Sequence, residues 1–205
     1  MDADRWRAEG GPDAELWKRC YTWADACELA AQWLEGKIRF MPGNYDAQPD
    51  EESGPLLEAL ATINRWGLFT DQSQPGVAIS DGCGQRAFIT GFCSEDLAAT
   101  IGSHLQGTDL VVITIPAFLE QSARVCVTID GGEEFTWVGI AGASHEVAAQ
   151  FREETNETLA IAMAECWQLH IFDPVWGRTE LLWDTLVEAA GLDAGRKAVG
   201  KRCIN

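Results

Sequence analysis

The chain has 205 residues, 46% hydrophobic and 23% charged, which is enough apolar material for one sizeable core. It holds no apolar run of the roughly 18–20 residues that a bilayer crossing needs. With 32 acidic against 15 basic side chains the formal net charge is −17; such a polyanion is repelled by phosphate backbones and anionic lipid, which argues against nucleic-acid and membrane partners.

Residues 1–12, with Gly10, Gly11 and Pro12 and no periodicity, read as a loose leader, and Asp13 as the cap of a short helix to about Cys20. After Thr22 or Trp23, the stretch ADACELAAQWLEG repeats Ala26, Leu29, Ala30, Trp33 and Leu34 at helical spacing and stops at Gly36. KIRFMPG reads as a short extended piece and NYDAQPDEESG as a polar, acidic loop. Ser53 then precedes the helix PLLEALATINRWG, with Leu56, Leu57, Leu60 and Ile63 on one face and Gly67 at its end. GQRAFITGF has strand character interrupted by Gly91, SEDLAATIGSHLQG is a helix capped by Ser94 and stopped by Gly107, and DLVVITIPA is a buried strand. ARVCVTIDGGEEFTWVGIAG is a hairpin turning at Asp130, Gly131 and Gly132. Helical periodicity returns over much of residues 144–167 with a break at Asn156; WQLHIFDP is one more strand, and RTELLWDTLVEAAG a final helix ended by Gly191. The expected class is α+β (mixed α/β), with mixed and antiparallel sheets flanked by helices. One domain is expected over 13–192, followed by a basic tail over 193–205.

Familiar catalytic signatures are missing. GCGQRA at 82–87 is too short for a dinucleotide fingerprint, no phosphate-binding Gly-Lys-Ser/Thr loop occurs, and the adjacent Ser144 and His145 do not make a triad. Glu133 and Glu134 lie next to a tight turn, where exposure is expected, and do not read as a catalytic pair. Seven scattered cysteines without a Cys-x-x-Cys pair read as reduced thiols used as small core residues, with Cys203 as a candidate surface thiol. His104, His145 and His170 lack the spacing and neighbours of a zinc site, so no metal is expected. With no secretion signal at the N-terminus, the expected location is cytoplasmic.

One stretch carries more information than its surroundings. INRWGLFTDQSQPG, at 63–76, ends a helix and then runs through Thr70, Gln72, Ser73 and Gln74 to Pro75 and Gly76. A turn whose hydroxyls satisfy the backbone is one reading, with Asn64 as a helix-end residue, and a binding loop is the other. The stretch resembles the Asn-x-x-Gly-x-x-Thr-x-x-Ser-Gln-Pro signature of the C-terminal regulatory domain of eukaryotic-type methylenetetrahydrofolate reductases, through Asn64, Gly67, Thr70, Ser73, Gln74 and Pro75. Its surroundings are similar in order: DACELAAQWLEGK and RFMP upstream, GQRAFITGF, SEDLAATIGSHL, FTWVGI and HIFDPVWGRTELLWDTL downstream, over roughly residues 14–190. Nothing resembles that family's catalytic barrel. The resemblance implies a stand-alone regulatory-domain homologue that binds S-adenosylmethionine or S-adenosylhomocysteine.

By the same resemblance, the ligand site falls on Glu52 and Ser53, on Thr70 and Ser73, and on Thr136. The chemistry agrees with that assignment: a carboxylate suits a sulfonium or ammonium, and hydroxyls suit a ribose or carboxylate. Trp137 reads as a core residue or as a neighbour of the adenine. The chain departs from the family at Val138, inserted before Gly139, and in the short segment between Thr136 and Cys166. Three functions follow as expectations: a ligand sensor read by a protein partner; an enzyme acting on a related small molecule through Glu52, Thr70, Ser73 and His145; and a ligand-free interaction protein using its acidic surface.

Overall fold

In a computed structural model, residues 11–44, 48–49, 51–119, 122–142 and 144–202 are described. Helix α1 spans Gly11–Lys18. Helix α2, Trp23–Leu34, starts where Thr22 accepts a hydrogen bond from the Asp25 N–H, and its helical spacing turns Ala26, Ala30, Trp33 and Leu34 inward. A 3-10 turn over Glu51–Leu56 leads into α3, Leu57–Trp66. Gly67 ends α3 at φ 114°, a conformation in which any Cβ would be strained, and its N–H donates to the Asn64 carbonyl at 2.8 Å.

A long hairpin follows that changes sheet halfway along. Strands β1 (Phe69–Gln74) and β4 (Phe88–Cys93) pair in one sheet, while β2 (Val77–Ser80) and β3 (Cys83–Gln85), between them in sequence, pair in another. After α4 (Glu95–Leu105) and β5 (Val111–Ile115) comes the hairpin of β6 (Ser122–Asp130) and β7 (Glu133–Ile140), which turns at Gly131 and Gly132. The chain closes with α5 (Ser144–Glu154), α6 (Glu157–Glu165), β8 (Trp167–Phe172) and α7 (Glu180–Arg202). The sheet orders are β1-β4-β8-β5 and β2-β3-β6-β7, with every pairing antiparallel. The class is therefore α+β.

Helices cover one face of the first sheet. Ile89 and Cys93 on β4 and Leu169 and Ile171 on β8 join Trp17, Ile63, Ile101, Met163 and Trp183 in one apolar cluster. Each such large apolar side chain contributes about 1.5–3 kcal/mol when fully buried. A second cluster, Phe88, Phe172, Val127 and Val138, fills the space between the sheets. The sheets are also tied by a polar contact, in which the Gly139 N–H donates to His170 Nδ1 at 2.9 Å. Burial of that imidazole lowers its pKa to about 4.

The structure corrects several expectations. Asp13 is not a cap: α1 already begins at Gly11, and the Asp13 carboxylate accepts from the Arg39 N–H at 2.8 Å instead. Gly191 does not stop the last helix, which runs on through Arg202 across the segment expected to be a tail. An isolated helical glycine costs only about 1 kcal/mol relative to alanine, and just beyond it Asp193 is held by the Trp66 indole at 2.9 Å. KIRFMPG forms no strand, but its Ile38 and Met41 are buried in the core. Cys20, Cys27 and Cys93 are buried free thiols, as expected, while Cys83 is exposed. Residues 1–10 of the expected leader, parts of the acidic loop (45–47 and 50) and Cys203 lie outside the described residues. No described helix is long and apolar enough to cross a membrane.

Candidate functional site

The stretch 69–74 was expected as a loop and is instead a strand. β1 is an edge of the first sheet, and its polar sequence reflects a position beside an open cavity, where apolar alternation has no core to serve. Asn64 fixes the start of this strand from the last turn of α3. It is fully buried, its side-chain NH2 donates to the Leu60 carbonyl and to Thr70 Oγ1, both at 2.9 Å, and its Oδ1 accepts from the Thr70 N–H at 3.1 Å. Asn64 is thus a helix-to-strand brace. At the other end, Gly76 sits where a Cβ would meet the Arg178 carbonyl at 2.8 Å, and Thr179 Oγ1 both accepts from its N–H and donates to its carbonyl.

Between these anchors β1 carries a bulge. Thr70 pairs with Gly91 and Gln72 with Thr90, so Asp71 is the extra residue, with no partner opposite it. The cavity it borders has a volume of about 480 Å³, within the roughly 300–1,000 Å³ of small-molecule sites. All five site residues named from sequence line it: Glu52 and Ser53 from the 3-10 turn, Thr70 and Ser73 from β1, and Thr136 from β7. They come from three separated stretches of chain brought together at the junction of α2, the β1 edge and the second sheet.

The lining is half polar tether and half open group. Thr128 donates to Gln85 Oε1 at 3.3 Å, Gln85 Nε2 to Gln74 Oε1 at 3.1 Å, and Gln74 Nε2 to Glu52 Oε1 at 2.9 Å, a chain that ends on a carboxylate. The Glu154 carboxylate holds the rim by accepting from the Gly43 N–H at 2.6 Å. By contrast, the hydroxyls of Ser53, Ser73 and Thr136 make no hydrogen bond to the described residues, and neither does the Asp71 carboxylate. Asp71 is accessible from the cavity, yet protein surrounds that space on most sides; the loss of hydration raises its pKa above the ordinary carboxyl value. Trp33, Phe69, Phe88, Phe135 and Phe151 supply an aromatic wall, and no lysine, arginine or histidine is among the described lining residues.

Other sequence candidates stand apart. His145 is exposed on α5 and is not part of the lining. Trp137 is neither core nor cavity wall: the Arg124 guanidinium stacks 4.1 Å from its ring centre, and its indole donates to Glu134 at 3.0 Å. Asp71, Gln74, Gln85 and Thr128 were not picked out from sequence as cavity residues. The bulge and the pairing of β3 with β6 that place them are long-range consequences of the fold.

Comparison with known proteins places the chain within one family. The model of a family described as "Domain of unknown function (DUF6919)" matches residues 12–192. No curated protein matches the chain.

Proposed function

Since the chain belongs to the DUF6919 family, whose description names no activity, we propose from its own cavity that it is a binding or sensor domain for S-adenosylmethionine or S-adenosylhomocysteine. The observation that carries the reading is the cavity itself, with Glu52, Ser53, Thr70, Ser73 and Thr136 around one space. Its chemistry suits such a ligand. Free hydroxyls match a ribose and an amino-acid carboxylate, the aromatic wall matches a purine, and the acidic groups match an ammonium or sulfonium.

Sensing requires that ligand change a surface that a partner reads, because a ligand shifts an equilibrium only by its differential affinity for the two states. The rim offers such a surface. The segment over 41–44 borders the cavity and is held to α5 by the Gly43–Glu154 contact, so a ligand seated against it acts on the packing of α5.

Calorimetric titration with S-adenosylmethionine, S-adenosylhomocysteine and adenosine tests the reading, with one saturable site expected for the first two. Paired Ser73→Ala and Thr136→Ala changes remove hydroxyls that the fold does not use; they are expected to weaken binding by about tenfold or more while the melting temperature holds. Chromatography of the ligand after prolonged incubation separates sensor from enzyme: the sensor reading expects it unchanged. Absence of binding by all three compounds contradicts the proposal.

A further inference from the structure

Among the described residues two carboxylates line the cavity, and they are in different states. Glu52 accepts from Gln74 Nε2 at 2.9 Å and stands at the end of a hydrogen-bonded chain. Asp71 has neither hydrogen bond nor ion pair among the described residues. The bulge in β1 is what presents it: the strand gives up one register position, and the residue released from pairing is the acidic one. This carboxylate faces the cavity without a counter-charge, and no described lining residue is cationic. The same cavity is lined by Trp33, Phe69, Phe88, Phe135 and Phe151, and the faces of such rings also attract cations. Carboxylate and aromatic rings together form the environment that onium ions favour, whereas neutral thioethers gain only the apolar part of it.

We infer that Asp71 recognises a fixed positive charge on the cavity's ligand, a sulfonium or quaternary ammonium centre, and so discriminates against the neutral counterpart of the same molecule. The inference rests on the reading of this cavity as a small-molecule site and sharpens it. S-Adenosylmethionine, which carries the sulfonium, is the preferred ligand over S-adenosylhomocysteine, which differs by the methyl group and the charge. Ser53, Ser73 and Thr136 serve parts common to both molecules, so the preference resides in Asp71. The raised pKa of this carboxyl is consistent with this role, since a bound cation holds it ionised.

The test compares dissociation constants of the wild type, Asp71→Asn and Asp71→Glu for S-adenosylmethionine and S-adenosylhomocysteine. S-Methylmethionine against methionine provides a sulfonium pair without the nucleoside, followed by nuclear magnetic resonance titration. The expected result is that wild type prefers S-adenosylmethionine by about tenfold or more. Asp71→Asn is expected to abolish the preference by weakening S-adenosylmethionine far more than S-adenosylhomocysteine, and Asp71→Glu to restore part of it. If the adenosyl compounds fail to bind while S-methylmethionine binds wild type and not Asp71→Asn, the adenosyl reading fails and this inference stands. Equal affinity for charged and neutral members of both pairs, a preference that survives in Asp71→Asn, or no binding of either sulfonium overturns it.

Discussion

The polar groups beneath the first sheet and those around the cavity follow opposite rules. Asn64, His170 and Asp173 are all buried and all engaged. Asn64 braces Thr70, His170 accepts from Gly139, and Asp173 takes two bonds from the Arg178 guanidinium, at 2.5 and 2.9 Å, and one from the Val175 N–H at 2.8 Å. A few residues away on the cavity wall, Ser73, Thr136 and Asp71 are accessible and leave their polar groups unused by the protein. An engaged buried group is explained by stability. A polar group that lines a cavity and that the fold does not use has no such account, and this difference separates scaffold from candidate site more sharply than residue type does.

The largest way to break the first class is Asn64→Ala. It removes three hydrogen bonds at a fully buried position and strands the Leu60 and Thr70 groups, so a loss of about 2–4 kcal/mol is expected in denaturant unfolding. Ligand affinity falls with it, because Thr70 loses its brace. A comparable effect belongs to pH. His170 binds a proton in the unfolded chain near its ordinary value of 6.5 but in the fold only near 4. Stability is therefore full above pH 6.5 and declines as pH falls from there toward 4, by up to about 3 kcal/mol, and His170→Gln removes this part of the pH dependence.

The cavity class predicts smaller changes and, in one case, the opposite sign. Ser73→Ala with Thr136→Ala shifts unfolding free energy by less than about 0.5 kcal/mol, the range of substitutions that touch nothing the fold relies on. Asp71→Asn raises the melting temperature slightly when no ligand is added. The folded carboxyl pKa lies above the unfolded one, so ionisation destabilises the fold as pH rises through that window; the gain is present at neutral pH and vanishes in acid below the ordinary carboxyl value. Thermal melts of both variants at neutral and acidic pH check the pair.

Much of this architecture was legible in the residues, for identifiable reasons. Helices α2 and α4 announced themselves by apolar spacing with Thr22 and Ser94 as caps, and the β6–β7 hairpin by its Gly131 and Gly132 turn. Strand β1 was not, because its Thr-Asp-Gln-Ser-Gln sequence serves a cavity rather than a core and carries no alternation to read. Asp71 was missed for a related reason, since a bulge is set by the partner strand and leaves no local mark. The run of α7 through Gly191 shows a glycine outweighed by its helix-forming neighbours and by the anchorage of Asp193. The five site residues were reached by resemblance, and the fold sets them around one cavity.

Calorimetric titration of the intact chain with S-adenosylmethionine, repeated on the Ser73→Ala, Thr136→Ala variant, tests the central claim most directly. The account predicts one saturable site in the wild type and at least about tenfold weaker binding in an equally stable variant. No saturable heat in the wild type at millimolar ligand, or the same affinity in both proteins, would contradict it.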